Sequence, residues 1–122
     1  LVAALQNGTD AKINGENLND DTVAANVKDA HLIINCTPVG MHPNEDASLV
    51  PPELFEAGQV VFDIVYNPLQ TKLLTQAKAK GLTIIPGVEM FINQAVLQFE
   101  RFTGVDAPVD VMRRVVMEQL TK

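Results

Sequence analysis

The sequence predicts an α/β fold, a parallel sheet with helices on its faces. Near-continuous apolar runs of strand length occur at 31–36 (HLIINC), 59–65 (QVVFDIV) and 82–85 (LTII), the pattern of strands covered on both sides. Leu69, Leu73, Leu74 and Ala77 recur at helical spacing between the second run and the third, and strand, helix, strand alternation marks parallel pairing. Two segments of helical periodicity, 88–102 and 108–120, close the chain.

Taken in order, Leu1, Val2 and Leu5 before the breaker pair Asn7-Gly8 read as the last turns of a helix, and residues 11–14 as a short extended segment. Asp20 and Asp21 are placed to cap a helix reaching about Lys28. After the first apolar run, residues 37–52 form a turn-rich loop in which Pro38, Gly40, Pro43, Pro51 and Pro52 exclude regular structure; 53–57 fit one helical turn before Gly58. The helix after the second run starts at Asn67-Pro68 or at Thr71, and Gly81 stops it. Pro86-Gly87 then joins the third run directly to a helix. Free backbone N–H groups and a missing side chain there suit a ligand, and equally an ordinary tight turn.

In the helix that follows, Val88, Phe91, Ile92, Ala95, Val96, Phe99 and Phe102 fall in an arc of about 140 degrees and make its core face. Met90, Gln94 and Leu97 lie on the opposite side and need a cover of their own. The pattern favours packing against 108–120; the alternative is a cleft wall, with Met90 against a flat ligand and Gln94 hydrogen-bonding within it.

Composition narrows the function classes. The chain has 122 residues, 47% hydrophobic and 20% charged, enough for one domain and one core without a disulfide or structural metal. No run approaches the ~18 apolar residues of a membrane span, and no basic region precedes the apolar start as in a signal peptide. A cytoplasmic protein without membrane contacts is expected. Residues 1–63 hold ten acidic and two basic side chains, and 64–122 hold five acidic and seven basic, within a net charge of −6; a nucleic-acid surface is disfavoured. The chain opens without methionine, and an N-terminal portion is expected to precede it.

Three stretches together resemble one family: 33–41 (IINCTPVGM); 61–68 (VFDIVYNP) with Thr71, Leu73 and Leu74; and 87–95 (GVEMFINQA). From about residue 30 to 104 the chain is similar to the C-terminal half of a shikimate dehydrogenase. In that family a substrate-binding domain faces a dinucleotide-binding domain, and NADPH reduces 3-dehydroshikimate to shikimate in aromatic amino-acid (chorismate) biosynthesis. The resemblance implies a partial Rossmann-like, doubly wound parallel sheet, its second half, with C-terminal helices. Residues 11–14 would be strand 3, orphaned, and the three apolar runs strands 4 to 6, adjacent and parallel. All of 1–122 would belong to the cofactor domain, without its phosphate loop and without the N-terminal substrate domain.

By the same resemblance Thr37, Ile64, Gly87 and Met90 bind the NADP cofactor, while Tyr66 and Gln94 reach shikimate or 3-dehydroshikimate. No GxGxxG or GxGGxx occurs in the sequence, and the family's catalytic lysine and aspartate lie in the other domain. No catalytic residue is therefore expected here, Lys72, Lys78 and Lys80 included, and the chain alone should be inactive. The shikimate/quinate choice, NADP against NAD, and a homodimer stay open. The alternative is a non-catalytic, stand-alone Rossmann-like binding or dimerisation module; Tyr66 and Gln94 argue against a methylenetetrahydrofolate dehydrogenase.

The remaining candidates read as structural. Asp63, acidic inside an apolar strand, is expected to anchor hydrogen bonds, and Cys36 to be a buried, inert thiol. His31 and His42 lack metal-ligand spacing, so no metal is expected. Asp20-Asp21 and Glu45-Asp46 fit caps or solvated positions, and Arg113-Arg114 a solvated or dipole-compensating pair.

Overall fold

In the computed structural model, which describes residues 1–121, the elements run α1 (Val2–Gln6), α2 (Asp20–Val27), β1 (Leu32–Asn35), a single 3-10 turn (Pro52–Leu54), β2 (Val60–Asp63), α3 (Lys72–Ala79), β3 (Thr83–Ile85), α4 (Gly87–Thr103) and α5 (Val109–Leu120). The three strands form one parallel sheet in the order β1-β2-β3. Ile33 pairs with Val61 and Val61 with Ile84, while Ile34, Phe62 and Ile85 form the neighbouring row. With a period of two these rows face opposite sides.

The first row meets the helices. Val61 and the α3 residues Leu73, Leu74 and Ala77 are buried with Val27 of α2 and with Val50, Phe55 and Leu82, and Ile33 and Ile84 pack against that cluster. The second row corrects the expectation of strands covered on both sides: Leu32, Ile34 and Ile85 are 50%, 47% and 38% exposed. Their apolar character shows that the face suits a cover, but α4 and α5 leave much of it open. Residues 11–14 take no part in the sheet. Without a partner strand, their backbone bonds to Gln6 instead: Ile13 N–H donates to Gln6 Oε1 at 2.9 Å and Gln6 Nε2 donates to the Ala11 carbonyl at 2.8 Å.

Helix starts are set by single side chains. Asn19, not Asp20 or Asp21, caps α2: its side chain accepts from Thr22 N–H at 2.9 Å and Thr22 Oγ1 accepts from Asn19 N–H at 3.2 Å, the reciprocal box that satisfies two free donors. The two aspartates sit in the first turn, where negative charge faces the positive end of the helix dipole. Of the two candidate starts for α3, Thr71 is the cap, accepting from Leu74 N–H. Gln59 ties the end of α2 to β2, its Nε2 donating to the carbonyls of Val27 and Ala30 at 2.7 and 2.9 Å.

At the C-terminal edge of the sheet the fully buried Asp63 carboxylate accepts three hydrogen bonds. Asn35 Nδ2 (2.9 Å) and Val65 N–H (3.0 Å) donate to Oδ1, and Thr71 Oγ1 (2.6 Å) to Oδ2. Asp63 is thus the anchor the sequence led us to expect. A buried acid so placed ties the ends of β1 and β2 to the start of α3, and its removal orphans three donors at once. Asp63→Ala is expected to lower the unfolding free energy by roughly 3 kcal/mol or more, measured as a reduced urea midpoint, whereas Asp20→Ala on the exposed α2 turn should change it by less than about 1 kcal/mol.

Candidate functional site

The connections leaving β1 and β2 enclose a cleft of about 440 Å³ lined by Cys36, Thr37, Pro38, Met41, His42 and residues 64–67. Parallel sheets present ligands at this edge, outside the carboxyl ends of their strands. Asn35 shapes one wall: its Oδ1 accepts from both Thr37 N–H (3.0 Å) and Thr37 Oγ1 (2.7 Å), and its Nδ2 donates to the Val39 carbonyl. The Thr37 hydroxyl is therefore spent inside the loop, accepting also from Val39 N–H at 3.2 Å. The two walls are joined where His42 N–H donates to the Asn67 carbonyl at 3.1 Å and where Lys72 Nζ donates to the Asp46 carbonyl at 2.7 Å. Apolar Ile64, Val65 and Met41 line it together with Tyr66 and Asn67, a mixed lining that suits a ligand with one flat apolar face and a few polar groups.

Of the six residues marked by the resemblance, the cleft unites Thr37, Ile64 and Tyr66. Gly87 lies against it. A Cβ there would fall 2.5 Å from the Val65 carbonyl oxygen and 2.6 Å from that of Ile64, so glycine is required for α4 to start against β2. The close approach seen here is backbone to backbone. Met90 and Gln94 do not line the cleft. Both are exposed on α4, one turn apart and on one face, and Gln94 Oε1 lies 3.5 Å from Gln98 Nε2.

The packing expected for that face is not found. Met90 and Leu97 are 41% and 67% exposed, and Phe102, assigned to the core arc, is 83% exposed. Only Gly87, Val88 and Ile92 of α4 are buried; a helix of 17 residues outruns strands of three and four. α5 meets α4 elsewhere. Arg113 donates Nη1 and Nη2 to the two Glu89 carboxylate oxygens at 2.6 and 2.8 Å, a partner the sequence did not predict, while Arg114 is exposed as expected. The Arg113 hydrogen bonds hold the Glu89 carboxyl below its ordinary range, partial burial working against them.

Cys36 is exposed, not buried. It continues the alternation of Leu32 and Ile34 on the open face of the edge strand, so the apolar neighbours in sequence do not enclose it. His42 Nδ1 meets Glu45 Oε1 at 2.8 Å on an exposed loop. Among the described residues no group of three or more His, Cys, Asp or Glu is placed to hold a metal, and no helix is long and apolar enough to cross a membrane. Sequence reasoning named three contributors without giving them a site role: Asn35 and Thr71, whose hydrogen bonds shape the cleft, and Phe91, which stacks on Tyr66 with ring centroids 4.6 Å apart. No periodic signal marks the first two. Phe91 was assigned to the core by its spacing.

Two outcomes follow from this geometry. Gly87→Ala must push α4 away from Ile64 and Val65, and is expected to cost about 1–3 kcal/mol of stability, read from thermal unfolding, while Gly8→Ala, where a Cβ meets only the Leu5 carbonyl oxygen at an ordinary 3.7 Å, should change it far less. The depressed Glu89 pKa means that its contribution is complete above the unfolded carboxylate pKa and is lost as pH falls through the lowered folded value. Wild type should thus lose part of its melting temperature below the ordinary glutamate range, and Arg113→Ala should remove that part of the acid sensitivity.

Comparison with known proteins agrees with the architecture. Residues 87–117 match the family described as "Shikimate 5'-dehydrogenase C-terminal domain". The shikimate dehydrogenase (NADP(+)) of Methanosarcina acetivorans is 43% identical over 109 residues, covering 89% of this chain and 38% of that protein. Its counterpart in Methanopyrus kandleri is 40% identical over 121 residues, covering 98% and 42%. A crystal structure of shikimate 5-dehydrogenase from Listeria monocytogenes, in complex with shikimate and NAD, superposes with a TM-score of 0.85 at 28% identity over 94% of this chain and 40% of that one. The chain therefore spans about two fifths of the curated relatives it matches. With a parallel sheet, C-terminal helices and a Rossmann-like arrangement shared with these proteins, the chain matches the C-terminal part of shikimate dehydrogenases.

Proposed function

We propose that this chain is the C-terminal, cofactor-facing part of an NADP-dependent shikimate dehydrogenase, which as a whole reduces 3-dehydroshikimate to shikimate. The observation that carries the reading is that one cleft brings together Thr37, Ile64 and Tyr66, three residues that the family resemblance marks, with Gly87 packed directly against Ile64 and Val65.

The residues present fit one end of the cofactor. Half-buried Ile64 and the Thr37 loop, with exposed Met90 three residues past the Gly87 contact, would hold the nicotinamide end of the cofactor. The phosphates find no glycine-rich loop in the sequence; those groups would be held by a part of the protein beyond this chain. NADPH, when bound, supplies the hydride. Tyr66 offers a hydroxyl and Gln94 an acceptor with two donors, a set suited to a polyhydroxylated ring. Neither moves the hydride, and by the family resemblance the proton for the reduced carbonyl comes from the lysine and aspartate of the other domain. The N-terminal substrate domain is a partner in this reading, and a cytoplasmic location fits it.

The test uses the chain alone and a chimera in which it replaces the matching segment of the Methanosarcina acetivorans relative. The chain alone is expected to form no NADPH from NADP+ and shikimate; turnover by it overturns the reading. In the active chimera, Gln94→Ala should weaken shikimate use by roughly ten-fold and leave the NADP KM nearly unchanged, as loss of a hydrogen bond with a buried partner left unpaired would do. Met90→Ala should act on the NADP KM instead. Normal shikimate kinetics in Gln94→Ala, or a defect confined to NADP, would place that residue on the wrong side of the cleft.

A further inference from the structure

We propose that Phe91 is a positioning residue that orients the Tyr66 phenol in the cleft by ring stacking. The proposal deepens the reading above and rests on it, since it takes Tyr66 to contact the substrate. Tyr66 lies outside any helix or strand, in the connection between β2 and α3, and its side chain is exposed. A phenol on such a segment has two free torsions, and binding through its hydroxyl must first restrict them. The Phe91 ring supplies that restriction: the centroids are 4.6 Å apart and the planes 25° from parallel, a stacked geometry of the favourable kind.

Phe91 can act this way because its own helix is fixed on two sides. Gly87 seats the start of α4 against the carbonyls of Ile64 and Val65, and Arg113 of α5 grips Glu89 with two hydrogen bonds. Val88 and Ile92, on either side of Phe91, are buried. On the other side of the segment, His42 N–H holds the Asn67 carbonyl at 3.1 Å. The backbone after Tyr66 is thus pinned from the β1 loop, and the ring from α4. A binding group held by packing neighbours starts in its productive geometry and loses less freedom on association.

The chain has one tyrosine and no tryptophan, so tyrosine spectra report on Tyr66 alone. In the whole chain, Phe91→Leu should abolish most of the tyrosine near-UV circular dichroism and remove the ring-current shift of the Tyr66 ring protons, with far-UV spectra unchanged. In the chimera, Phe91→Leu should raise the shikimate KM roughly two- to ten-fold, the range an aromatic pair supplies, with kcat and the NADP KM held. Phe91→Trp, which keeps a stacking face, should restore the KM. If Phe91→Leu destabilises the chain, Phe91→Met provides a second flexible replacement for the same measurements. Unchanged Tyr66 ring signals in both replacements overturn the positioning itself, as does a shikimate KM that Phe91→Trp fails to restore. An unchanged shikimate KM in Tyr66→Phe instead overturns the reading on which the proposal rests, and the spectra tell the two failures apart.

Discussion

The structure depends on one buried carboxylate. Asp63 sits at the last position of β2 with no exposed surface, and its three donors come from β1, from the start of the following connection and from the cap of α3. Unpaired, such a group would be strongly unfavourable in the interior; satisfied, it makes the relative placement of three segments a single cooperative unit. The apolar row of Ile33, Val61 and Ile84 sets which face of the sheet is covered. A hydrophobic row is tolerant of small shifts, but three hydrogen bonds to two oxygens are not, and the polar anchor therefore sets the strand ends.

That placement matters because the cleft begins where the anchor ends. Asn35 bonds to Asp63 with its amide nitrogen and to the Thr37 loop with its oxygen, so one side chain conveys the position of β2 to the loop after β1. Thr71 does the same for α3, its hydroxyl donating to Asp63 while accepting from the helix backbone. Gly40, at φ +86 and buried against Thr71, brings the same loop close to that helix start. The walls of the cleft are loops tied to the sheet and to one another by hydrogen bonds, the arrangement in which binding groups are held without being part of regular elements.

The second half of the chain is built differently. α4 is anchored at its beginning by backbone contact at Gly87 and by the Glu89–Arg113 pair, and its later turns become progressively exposed. An exposed ion pair of this kind adds little stability, but its two-pronged geometry restricts how α5 lies across the first turn of α4. The open faces of β1 and α4 carry Leu32, Ile34, Met90 and Leu97, apolar surface consistent with a chain that matches about two fifths of its relatives' length.

The sequence by itself determined the order of strands and helices, their parallel pairing, the stop at Gly81, and the reading of Asp63 as an anchor, because period, turn residues and an acid within an apolar run are local signals. It also carried the family motifs that mark Thr37, Ile64 and Tyr66. Only the tertiary structure decided that Cys36 and Ile34 face outward, that Phe102 lies beyond the core, that Arg113 finds Glu89, and that Phe91 stacks on Tyr66. Each of those outcomes turns on which element covers a given face. Asn35 and Asp63 are 28 residues apart in sequence and 2.9 Å apart in space, and periodicity identifies an apolar face without identifying what lies against it.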